Sequence, residues 1–190
     1  MKLLFLNTNV PSNVGNGFFY FGIQHVLSEV SAEIALVSAP FPPQTPFRLD
    51  KQMFARSFDL PGAVEGVDGI VVAGPVLDMS FDRQFGTLLR AFRNRGKRIY
   101  LLSVGGRRYD AKEHRVVSKC LAEVSPDMIV TRDRETYDLY GETAKSSLDG
   151  ICFAFFVSDA YAKYQVNLSE QFCVATLDFD RERRLSNYIE

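Results

Sequence analysis

The chain has 190 residues, 46% hydrophobic and 24% charged, with a formal net charge of −1. That length supports one good core with the start of a second domain, and the near-neutral charge excludes any general attraction to nucleic acid or anionic membrane. The only apolar run at the start, Leu3 to Leu6, is too short for a leader or a membrane span, so a cytoplasmic protein without a membrane span is expected.

Leu3 to Leu6 reads as a buried strand that empties into a polar loop holding Asn13, Gly15, Asn16 and Gly17. Phe18 to Val30 follows at helical spacing. A strand, a glycine-bearing loop and a helix start bring backbone N–H groups to one crevice, which suits an anionic or hydroxyl-rich ligand. Glu33 to Val37 reads as the next strand. Ser38 to Ser57 is long and proline-rich, either a surface excursion or a flap over a ligand.

Val67 to Ala73 is the strongest strand signal, running into Gly74, Pro75 and Asp78. Phe81 to Asn94 is helical, with Gly96 placed to stop it and five cations nearby complementing the C-terminal carbonyls. Arg98 to Val104 is a strand opening into Gly105, Gly106 and Arg107. A helix over Lys112 to Val124, a strand over Asp127 to Thr131 and a short helix over Glu135 to Tyr140 come next, with Asp133 as N-cap and Gly141 as stop. Leu148 to Tyr161 is apolar and aromatic, Gln171 to Leu177 a fresh strand, and Asp178 to Glu190 a charged helix. Strands alternating with helices in this way define an α/β, doubly wound, mostly parallel sheet. Each strand then delivers its following loop to the same edge.

Asn13, Gly15, Asn16, Gly74, Asp78, Gly105, Gly106, Arg107, Arg132 and Asp133 are the polar strand-end residues expected there. Arg132 offers a planar fork for an oxyanion or a salt bridge to Asp133 or Glu135. Asp78 either accepts a hydroxyl proton and orients a sugar, or caps the helix that follows. Tyr109 and Arg107 have the chemistry to meet a sugar ring, which loop solvation explains equally well. His25 reads as packed or surface, and His114 as exposed. Cys120, Cys152 and Cys173 sit in apolar surroundings and read as buried thiols. With two histidines and no CxxC or HExxH, a metal site has little to be built from.

The Asn13–Asn16 loop, the Asp68–Asp78 strand and turn, the Val130–Asp133 strand end and the Asp149–Phe155 segment, in that order, resemble the amino-terminal half of the polysaccharide pyruvyl transferase family, over roughly residues 1–177. The resemblance implies a Rossmann-like domain, as in the N-terminal domain of a two-domain, GT-B-type transferase. It implies pyruvyl transfer from phosphoenolpyruvate, the donor substrate, onto sugar hydroxyls as a ketal, with no other cofactor, in cell-surface polysaccharide biosynthesis. By that resemblance Arg132 matches a family arginine linked to activity and Asp78 the aspartate that closes the glycine-rich turn, which makes these two the catalytic candidates. Ala73-Gly74-Pro75 stands where the family usually has three glycines, and Gly15-Asn16-Gly17-Phe18 lacks the family's acid. Residues 1–170 are expected to form the acceptor-side domain, and residues 171–190 the first strand and helix of a truncated second domain that would bring phosphoenolpyruvate. This chain alone is then inactive, with a saccharide acceptor as partner. Two other readings stand beside it. One is a non-enzymatic binding or assembly module, a homo-oligomer through an exposed half-interface carrying Phe153, Phe155, Phe156 and Tyr161. The other is a GT-B-type glycosyltransferase fragment or dinucleotide enzyme; the first loop lacks GxGxxG.

Overall fold

The computed structural model describes residues 1–7, 14–31, 34–40 and 64–160. Six strands form one sheet in which every pairing is parallel. They are β1 (Lys2–Asn7), β2 (Ala35–Pro40), β3 (Gly69–Leu77), β4 (Arg98–Gly106), β5 (Met128–Thr131) and β6 (Ser147–Asp149), in spatial order β2-β1-β3-β4-β5-β6. The helices are α1 (Val14–Val30), α2 (Thr87–Asn94), α3 (Ala111–Val124), α4 (Arg134–Tyr140) and α5 (Val157–Ala160). A π-helical turn, Asp82–Gly86, leads into α2.

The apolar runs divide between two faces because strand side chains alternate. Leu4, Leu6, Ile70 and Val72 join a cluster with Phe85, Leu89 and Phe92 around α2, Val117 and Leu121 of α3, and Tyr140 of α4. Leu3, Phe5, Val71 and Ala73 join the opposite cluster with Ile23 of α1 and Phe153. Thus α1 covers one face and α2 to α4 the other. The chain leaves β1 toward one edge and, from β3 onward, winds toward the other. Adjacent β1 and β3 are therefore the point where the winding reverses, the place in such sheets where a ligand crevice opens beyond the strand ends.

Gly96, at φ +66°, ends α2 as expected: its amide donates to Arg93 O at 2.9 Å and that of Lys97 to Phe92 O at 3.0 Å, a Schellman pair. The nearby cations do more than complement their own helix. Arg93 donates to Val124 O at 2.7 Å, to Ser125 O, and to Asp127 at 3.1 Å, closing the end of α3 instead. Arg90 joins Asp82 and Glu123, both at 2.6 Å. Cys120 is buried, and that burial, with the Asp82 carboxylate beside it, pushes its thiol up to about 12. Cys152 is only half-buried, contrary to expectation, because it opens the turn after β6 rather than sitting inside a strand. Cys173 lies outside the described residues.

After β6 the chain turns back onto the α1 face through a 3-10 turn at Phe153–Phe156. Two local features admit it. A Cβ on Gly22 would overlap the Phe153 carbonyl, so only glycine lets α1 approach so closely. Ser103 is the other. It is buried at φ +53°, bulged out of β4 between Leu102 and Val104 against both neighbouring strands. Its hydroxyl accepts from the Phe153 amide at 2.9 Å and donates to Ile151 O at 3.3 Å. The bulge turns one strand residue into a latch for a segment about fifty positions away.

Several boundaries differ from expectation. β2 starts at Ala35 and reaches Pro40. α1 begins at Val14, so Gly15 and Asn16 belong to its first turn and not to a preceding loop. First-turn amides have no intrahelical partner, which lowers the penalty for weak helix formers there. β3 continues through Gly74 to Leu77, and β4 includes Gly105 and Gly106. Phe153 is buried and not part of an exposed patch, while Phe155 is exposed. Asn13, Tyr161, residues 41–57 of the long loop expected from the sequence, and the expected second domain at 171–190 lie outside the described residues.

Candidate functional site

Parallel pairing places the ends of β3, β4 and β5 side by side, and the polar residues of their turns form a continuous rim. At the end of β3, Gly74 takes φ +102°, and the three steps from Gly74 to Leu77 lie against the two steps from Val104 to Gly106. Pro75 sits exposed in that offset, a position where its missing N–H breaks no ladder bond. Gly74-Pro75 is therefore a strand bulge and not an open glycine loop.

Asp78 follows directly. Its Oδ1 accepts from the Ser80 amide at 2.7 Å and the Ser80 hydroxyl at 2.6 Å, which starts the turn toward α2. Its Oδ2 stands 3.9 Å from Arg107 Nη1 across the β3–β4 boundary. One oxygen of the carboxylate thus shapes the turn, without capping the helical turn that follows, and the other faces Arg107.

The β4 and β5 turns interlock. The amide of Arg132 donates to Val104 O at 2.9 Å, and its side chain folds over Gly105, where a Cβ would stand 2.9 Å from Arg132 Cδ. Arg132 Nε lies 3.5 Å from Asp133 Oδ2, the one partner of that guanidinium among the described residues. Asp133 Oδ1 accepts the Thr136 amide at 2.8 Å and caps α4 as expected, while Oδ2 accepts the Tyr109 hydroxyl at 3.1 Å. Tyr109 packs its ring over Gly106, where a Cβ would come within 2.6 Å of it. Buried Thr136 accepts the Gly106 amide at 3.1 Å, joining the end of β4 to α4.

The charges follow from these contacts. Burial, the largest influence on Asp133, raises its pKa, yet the Thr136 bonds, the Tyr109 hydroxyl and the Arg132 charge outweigh it and hold the carboxyl below its usual range. Burial first, with Asp133 adding, pushes the Tyr109 phenol up, so it stays a donor. Burial also raises the Tyr140 phenol, whose oxygen has no hydrogen-bond partner among the described residues.

Sequence reasoning missed Glu113. Fully buried in the first turn of α3, it accepts the amides of Arg107, Arg108 and Tyr109. The Asp110-x-x-Glu113 spacing, that of a capping box, was the available signal. Asp110 caps α3 by accepting the Lys112 and Glu113 amides, both at 2.9 Å, but Glu113 reaches past it into the preceding turn. His114 is exposed, as expected, and stacks on Tyr140 at 5.6 Å. Among the described residues no cluster of three His, Cys, Asp or Glu side chains is arranged to hold a metal ion.

The site is thus a strand-end rim on a doubly wound parallel α/β sheet. Asp78, Arg107, Gly105, Gly106 and Arg132 come together there, Gly74 lies beneath in β3, and Gly15 and Asn16 stand in the α1 turn that follows β1 to the same edge. No family model, curated protein or solved structure matches the chain.

Proposed function

We propose that this chain is the acceptor-binding half of a ketal-forming transferase of the polysaccharide pyruvyl transferase kind. The sugar lies along the rim, where Asp78 Oδ2 takes the proton of an attacking hydroxyl. Arg132 presents its planar fork to an oxyanion of phosphoenolpyruvate. As the hydroxyl oxygens bond to the enol carbon, the methylene carbon gains a proton and phosphate leaves. The donor's remaining clamp belongs to the carboxy-terminal domain that the family resemblance implies. The observation that carries the reading is that one rim holds both a carboxylate oxygen of Asp78, 3.9 Å from Arg107, and a lightly partnered guanidinium on Arg132, in the turns that flank the β4 turn on either side.

Calorimetry with pyranoside fragments bearing adjacent free hydroxyls tests it. Binding is expected, and Asp78→Ala or Arg132→Ala is expected to weaken it about tenfold or more, the range for a lost charge-assisted hydrogen bond. Equal affinity in both variants removes the assignment. Phosphate release from phosphoenolpyruvate by residues 1–190 alone overturns the division of labour between domains.

A second reading, an assembly module, draws on the end of the sheet at β6. Leu148, Ile151 and Phe155 are 57%, 50% and 71% exposed beside that short edge strand. Apolar surface of this kind favours association. A monodisperse monomer in light scattering argues against this reading.

A further inference from the structure

The turn after β4 has the local make-up of an anion cradle, and the cradle is full. Three successive amides, those of Arg107, Arg108 and Tyr109, converge on Glu113 Oε1 at 3.1, 3.0 and 2.9 Å, and the Arg108 amide also reaches Oε2 at 3.2 Å. Tyr109, at φ +56°, curls the run with a left-handed step, as in the concave amide nests that bind phosphate groups. Glu113 is fully buried and forms no ion pair among the described residues. A buried carboxylate without a cation is tolerable only when hydrogen bonds replace its hydration, and the amides and the start of α3 do so here. Asp110 takes the next free amides, Lys112 and Glu113. Every one of these five donors is therefore answered by a carboxylate of the chain itself.

We propose that Glu113 is a specificity-determining residue of the rim: its carboxylate occupies the place in the β4 turn where a ligand phosphate or carboxylate would otherwise dock. The proposal rests on the reading of the rim as a saccharide site and deepens it. A ligand anion entering this turn meets a like charge at contact distance in a poorly solvated place, so the turn accepts a neutral, hydroxyl-bearing ring instead. Anion binding is left to side chains: the guanidinium of Arg107, which projects from the backbone that Glu113 holds, and that of Arg132, whose own amide is held by Val104 O in the neighbouring turn. The β4 turn thus separates acceptor from donor: its amides are closed to phosphate, and its edge stays open to a sugar facing Asp78.

The test titrates the isotopically labelled full chain with inorganic phosphate and no saccharide, following the amide resonances of Arg107, Arg108 and Tyr109. In the unaltered protein these resonances stay fixed. In Glu113→Ala they shift saturably, with phosphate affinity at least about tenfold above that of the unaltered protein, as expected when charge-assisted bonds become available. Glu113→Gln keeps the side-chain length and one acceptor oxygen but not the charge. It gives an intermediate affinity and supplies the answer should the alanine variant not fold. Saturable shifts in the unaltered protein, or none in either variant, overturn the proposal. Saccharide titration of Asp78→Ala is read separately, so a rim that binds no sugar and a nest that is not occupied give different results.

Discussion

The turns after β4 and β5 lie side by side on the rim and treat their polar groups in opposite ways. The β4 turn spends its backbone amides on Glu113 and Asp110, both from its own helix, and is locally complete. The β5 turn spends only Asp133 on its helix and leaves the Arg132 guanidinium lying over a neighbour's glycine with a single carboxylate at 3.5 Å. Backbone donors held by a carboxylate four to six residues away make a rigid wall. A long side chain resting on bare backbone keeps rotamer freedom and can meet a ligand. One turn is scaffold and the other is reach.

Removing the carboxylate that completes the scaffold is expected to have the largest effect. Glu113→Ala strips several charge-assisted bonds from a buried site and should lower unfolding free energy by about 3 kcal/mol in urea titrations, with Glu113→Gln nearer about 1 kcal/mol. A loss as small for alanine as for glutamine breaks the contrast between the turns. Tyr109→Phe comes next, removing the hydroxyl bond that joins the two turns, for about 1 kcal/mol.

The acid limb of the stability curve sharpens the comparison from the β5 side. The Asp133 carboxyl is held low in the folded state, so its contribution is present above the unfolded carboxylate range, near pH 4, and is lost as pH falls through the folded value. Asp110 and Asp127 are lowered as well and act in the same window. Stability is therefore expected to fall on acidification below about pH 4, and Asp133→Asn to flatten that fall while leaving the neutral plateau lower.

Gly105→Ala should change stability least, by under about 1 kcal/mol, because the new methyl meets only a movable side chain. Its signature is functional: the displaced Arg132 fork weakens ligand binding while the melting temperature barely moves. A large drop in melting temperature would mean that Arg132 is as fixed as the β4 turn.

Much of the scaffold was legible in residues close together in the chain. The N-cap at Asp133 and the left-handed stop at Gly96 are read within a few positions, because capping is a contact between near neighbours. The reach was less legible. Arg132 was named, but its seat on Gly105 depends on two strands whose pairing no local spacing reveals. The first-turn residues Gly15 and Asn16 read as loop from the sequence because glycine and asparagine signal loops, while an α-helix start tolerates both.

Chain order, alternating apolar strands and amphipathic helices were enough to determine a parallel, doubly wound α/β sheet with its polar turns at one edge, since period and handedness are local properties of the backbone. Only the tertiary structure decided that Glu113 fills the β4 turn, that Ser103 bulges out to latch Phe153, and that Gly22 is notched for that same segment. Such contacts depend on where a particular side chain finds space and unpaired donors, and the folded packing alone supplies both.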